Sequence, residues 1–91
     1  MTPTQWTDSA QPSIGTMYRL QWEDAQQCHV LLFPEGMIKL NGPAAEILKR
    51  CDGKTSVAAL VADLETTFGE ADLRADVIEF LEQAHGRHWI R

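Results

Sequence analysis

The stretch Cys28–Asn41, CHVLLFPEGMIKLN, constrains the fold more than any other part of the chain. An apolar run, a proline–glycine turn and a shorter second run specify two antiparallel strands joined by a hairpin. Proline presets φ at the first turn position, and glycine can supply the left-handed residue that closes a three-residue loop. Cys28–Phe33 is apolar almost throughout, the pattern of a central strand covered on both faces. Met37–Leu40 sets Ile38 and Leu40 on one side, Met37 and Lys39 on the other. This second strand is short, with one evident partner in the chain. A strand with a free edge is either an aggregation hazard or a docking site.

A further strand precedes the hairpin. In Tyr18–Glu23, Tyr18, Leu20 and Trp22 alternate with Arg19, Gln21 and Glu23, which predicts one buried face. Asp24–Gln27 forms a loop. Beyond Asn41 the period becomes helical. Asn41 or Gly42 caps a first helix with Pro43 in its first turn, the stripe Ala44, Ile47, Leu48 and Cys51, and Gly53 as its stop. Thr55 or Ser56 caps a second, with Val57, Leu60, Val61, Leu64 and Phe68 inward and Gly69 at its end. A third, from about Asp72 to Ala84, carries Leu73, Val77, Phe80, Leu81 and Ala84 and ends at Gly86. Trp89 is expected to fold back over a core edge.

The order is βββααα. Three short strands cannot bury an apolar face alone, so sheet and helices must pack as two layers of a winged-helix-like α+β domain. A helical bundle with a loosely attached hairpin is the alternative, and hairpin exchange between two copies is open to either. Residues 1–17, with two prolines and no periodicity, read as a flexible tail anchored at most by Trp6 and Ile14; residues 18–91 form the domain.

Charge removes one class of function. The net charge is −5, and residues 63–82 hold seven acids against one base, Arg74, which argues against nucleic acid and against a winged-helix DNA binder. Cys28 and Cys51 are too few for a disulfide framework and read as small buried hydrophobes. No signal-peptide pattern and no bilayer-spanning run are present, so a cytoplasmic protein is expected. His85 and His88 are three apart, but Gly86 lies between them and no CxxC or HExxH spacing exists. There is no GxSxG and no phosphate-binding glycine loop. Asp72, Asp76, Glu79 and Glu82 read as a solvated helix face rather than paired catalytic acids. No catalytic residue, metal or cofactor is predicted.

One feature stands apart. Ile78 lies about 100° around the third helix from Val77, with Arg74 and His85 on the same flank. An apolar residue beside a base and a free strand edge is what a peptide groove uses. Ile78 equally fits a core stripe one residue wider.

Together, YRLQWEDAQ (18–26), VLLFPEGMIKLN (30–41), ILKRCDG (47–53) and DVIEFL (76–81), with Trp89 near the end, resemble the PqqD family. The match runs over residues 18–91; Phe33 stands where a tyrosine is common. The resemblance implies three strands and three helices, and a non-catalytic peptide chaperone without a cofactor. Such a chaperone binds the ribosomal precursor PqqA by strand addition and presents it to the radical S-adenosylmethionine enzyme PqqE in pyrroloquinoline quinone (PQQ) synthesis. Carried onto this chain, the peptide would lie along Met37, Ile38, Lys39 and Leu40 and against Arg74, Val77, Ile78 and Leu81. The acidic side of the third helix and the Cys51–Gly53 corner are candidate enzyme contacts. The alternative is a small dimerisation module whose edge strand pairs with its own copy.

Overall fold

The computed structural model describes residues 5–91; residues 1–4, the start of the expected tail, lie outside them. Strands β1 (Arg19–Glu23), β2 (Cys28–Phe33) and β3 (Gly36–Lys39) form an antiparallel sheet in the order β1-β2-β3. Helices α1 (Gly42–Lys49), α2 (Val57–Phe68) and α3 (Arg74–Gly86) follow. The predicted α+β order is the observed one. The hairpin is tighter than expected: Phe33 pairs with Gly36, so the loop is Pro34–Glu35 and Gly36 is a strand residue.

Helix boundaries follow their caps. Asn41 Oδ1 accepts the Ala44 N–H at 2.8 Å and starts α1; Ser56 Oγ accepts the Ala59 N–H at 3.1 Å and starts α2. Gly69, left-handed at φ 63°, ends α2. Gly53 does not end α1, which stops at Lys49 with Arg50 as its C-cap. Gly53 turns the following corner instead, at φ 76°, where the Asp52 carboxylate accepts the N–H groups of Lys54 and Thr55 at 2.8 Å each. The third helix begins at Arg74, because Asp72 sits at φ 61°, outside the helical region. Gly86 is its last residue and does not break it.

Leu31 at the sheet centre packs with Leu48, Leu60 and Leu81 from the three helices, all fully buried. Val30 points to the other sheet face and is equally sealed, between its cross-strand partners Gln21 and Lys39. Two residues expected inside are not. Trp22 is 48% exposed, because the core ends one pair short of it; its ring meets His29 edge-on at 5.1 Å and its Nε1–H donates to Asp24 at 2.8 Å. Phe68, in the last turn of α2, is 50% exposed.

Residues 5–17, read from sequence as part of a flexible tail, lie along the domain. Trp6 is 4% exposed and meets the His85 ring edge-on at 5.6 Å. The Asp8 and Ala10 carbonyls accept the N–H groups of Ala58 and Val57, which the first turn of a helix otherwise leaves unpaired. Ser13 and Arg91 exchange two backbone bonds, of 3.1 and 2.9 Å, and Ile14 bridges to buried Ile90. The Gly15 N–H donates to the Trp89 carbonyl at 2.7 Å, an approach so close that a Cβ there would lie 2.6 Å from the His88 oxygen.

Candidate peptide-binding groove

Among the described residues β3 pairs only with β2, so one of its edges is open. Which backbone groups line that edge follows from the register. The Leu40 N–H donates to the His29 carbonyl at 3.0 Å. Directly opposed antiparallel pairs alternate between bonded and non-bonded. The pairs Leu31–Ile38 and Phe33–Gly36 are therefore bonded, and the N–H and C=O groups of Met37 and Lys39 face outward. Two residues thus offer four unused backbone groups at strand spacing.

A groove of about 380 Å3 lies beside this edge. Lys39 and Leu40 form its strand side, and Ala44 and Ile47 of α1 contribute apolar surface. Asp76, Phe80, Gln83 and Arg87 form the opposite wall, spaced four, three and four residues apart along one helix face. Trp89 closes one side, with the Arg87 guanidinium 5.4 Å from its ring centre. Lys39, Asp76 and Arg87 make no ion pair among the described residues.

The residues proposed from sequence are only partly assembled here. Leu40 lines the groove and Lys39 borders it at the strand edge; Met37 shares the outer sheet face with Lys39 and is exposed, and Ile38 packs inward against the core. Val77 and Leu81 are buried under the helical layer, and Ile78 packs against the core from the flank opposite Phe80. Arg74 pairs with Asp8 at 2.8 Å, and His85 meets Trp6, so that flank of α3 faces the N-terminal segment. The helical period places Phe80 in the core stripe alone and gives Gln83 and Arg87 no role. Their spacing with Asp76 was the available signal.

Three groups at the end of α1 are set by their packing and ion pairs. Burial, and then the Asp52 charge, push the Cys51 thiol up to about 12, which leaves no thiolate at neutral pH. Hydrogen bonds to Lys49, then Arg50, hold the Glu46 carboxyl below its ordinary range. Burial acts to lower the Arg50 pKa, but Asp63 and Glu46 outweigh it and raise the net value. Among the described residues no three His, Cys, Asp or Glu side chains are grouped to hold a metal ion, and no helix is long and apolar enough to cross a membrane.

Known proteins share this architecture. Residues 28–90 match the family model described as coenzyme PQQ synthesis protein D (PqqD). A protein of Azotobacter vinelandii named PqqA binding protein is 55% identical over 80 residues, 87% of each chain. A protein of the same name from Klebsiella pneumoniae is 55% identical over 74 residues, 80% of each chain. The solution structure of the PqqD truncation of Methylobacterium extorquens PqqCD covers all of this chain and 99% of its own, with a TM-score of 0.78 at 28% identity. That protein is described as a functional, stand-alone recognition element for ribosomally synthesised and post-translationally modified peptides.

Proposed function

The chain belongs to the PqqD family, and from that premise we propose that it is a non-catalytic recognition element for the precursor peptide PqqA. The peptide adds as a strand along β3, and the complex is presented in the cytoplasm to the radical S-adenosylmethionine enzyme PqqE. The observation that carries this reading is the outward backbone of Met37 and Lys39 beside an open groove with an apolar floor. Main-chain pairing gives an added strand its affinity, and the side chains beside it give selectivity.

Within this reading the sequence candidates take distinct roles. Met37 and Lys39 supply the backbone ladder, while Ile38 holds β3 to the sheet. Leu40, Phe80 and Trp89 form the surface that receives peptide side chains, with Lys39 and Arg87 as cations at its rim. Val77 and Leu81 support the floor from beneath. A disordered precursor loses conformational entropy on ordering, so binding is moderate, which suits cargo that must be passed on.

An amide NMR titration of the labelled chain with PqqA peptide tests this. Shifts concentrated in residues 36–41 and at Asp76, Phe80, Gln83 and Arg87, saturating near one peptide per chain, are expected. No shifts in β3, or β3 shifts that depend on protein concentration alone, would replace the receptor with self-pairing of the edge.

A further inference from the structure

The groove beside β3 does not stop at Asp76. A second depression of about 470 Å3 lies between α1, the last turn of α2 and the start of α3. Pro43, Ile47 and Asp76 line both, so the two depressions adjoin there. Leu64, Leu73 and Val77 contribute to the floor of the second part, and half-exposed Phe68 forms one wall. This is the apolar surface that Phe68 would be expected to seal had it turned inward with the rest of its stripe.

The charge across the two depressions changes sign. The second depression is rimmed by Glu46, Glu70 and Asp76, and among the described residues no lysine or arginine lines it. Glu46 is already held by Lys49 and Arg50, whereas Glu70 and Asp76 are in no ion pair among the described residues. The β3 part shares Asp76 but carries Arg87, with Lys39 on the adjoining strand edge.

We propose that the second depression receives the continuation of the same extended peptide. A large apolar side chain packs on Phe68, and an adjacent lysine or arginine faces Glu70 and Asp76. This rests on the β3 edge being the peptide site. The occupant is the same peptide because the two depressions adjoin at Pro43, Ile47 and Asp76, so a chain leaving the β3 groove on that side passes over the second. The sign change also sets the ligand's polarity: acidic residues toward Lys39 and Arg87, the basic residue beyond Asp76. The reverse arrangement would put like charges together at both ends.

Glu70→Lys and Phe68→Ala test this, with dissociation constants measured calorimetrically for synthetic PqqA and for a copy with every lysine and arginine replaced by glutamine. Both variants change exposed side chains, and native thermal unfolding is confirmed first. Glu70→Lys should weaken PqqA binding about three- to fivefold, and Phe68→Ala about tenfold. The glutamine peptide should no longer distinguish wild type from Glu70→Lys, as a double-mutant cycle requires. Unchanged affinities in both variants, with β3 amides still shifting, would overturn the continuation and leave the β3 site standing. Loss of the β3 shifts in wild type would remove the β3 site itself. Amide shifts over residues 64–73 produced by PqqE and not by peptide would give the depression to the enzyme and likewise overturn the proposal.

Discussion

Cys51 is 3% exposed, and its thiol donates to the Ile47 carbonyl at 3.3 Å. With its pKa pushed up to about 12 by burial and by Asp52, it should not react in the native protein. Cys28, expected from sequence to be buried like Cys51, is only half-buried near the end of the sheet, so a maleimide at pH 8 should modify only Cys28, and both cysteines once urea is added; two thiols of similar rate in the native state would contradict this burial. Next to it, the N–H groups of Lys54 and then Thr55 hold the Asp52 carboxyl below its ordinary range. Its folded pKa thus lies below its unfolded one. The resulting stability is present above the unfolded value and is lost as pH falls through the folded value. Asp52→Asn keeps an acceptor but not the charge. Urea midpoints of wild type and Asp52→Asn should differ at pH 7, wild type higher, and converge below about pH 4. A constant gap across that range would mean that the ionised carboxylate does not stabilise the corner.

At the scale of elements, β3 separates two proline substitutions at neighbouring positions. The Ile38 N–H faces β2 and the Lys39 N–H faces solvent. Proline is tolerated on an edge strand only where the lost donor points outward. Lys39→Pro should fold with a near-normal midpoint and bind PqqA at least about tenfold more weakly, having lost one main-chain bond and a rim cation. Ile38→Pro should lose the hairpin, seen as lost β-sheet amide dispersion. Equal destabilisation by both would mean the register is wrong. The same element shows what the sequence could reveal. Alternation in Met37–Leu40 and the apolar run of Cys28–Phe33 made β3 an edge strand beside a central one, and the Ala44, Ile47, Leu48 stripe made α1 a helix on that sheet. The flank of α3 that faces β3 was not legible. Periodicity locates the stripe of Val77, Leu81 and Ala84, but Ile78 and Phe80 border it on either side, and only tertiary placement decides which lines the groove. Trp22 and Phe68 were misplaced for a related reason: alternation and stripe continue to the end of an element, while the core stops earlier.

The whole molecule depends on a segment that carries no such pattern. Residues 5–17 hold the chain's C-terminal end and the start of α2 mostly through backbone bonds, which leave no mark in side-chain periodicity. Trp6 is their main apolar anchor. Trp6→Ala should destabilise the domain by about 3 kcal/mol, read as a lower urea midpoint with an unchanged slope; a midpoint equal to wild type would mean the segment is not part of the cooperative unit. The segment also bears on the proposed site, since Asp8 and Trp6 meet Arg74 and His85 and so cover that flank of α3, leaving the Phe80 flank to line the groove. Whether the open edge of β3 takes up a strand is the central claim, and amide hydrogen exchange addresses it residue by residue. In the free protein Ile38 and Leu40 should exchange slowly, and Met37 and Lys39 fast. Saturating PqqA should slow Met37 and Lys39 by roughly tenfold or more, as expected for amides newly held in a ladder. Bound peptide that leaves those two amides exchanging at the free rate would contradict strand addition.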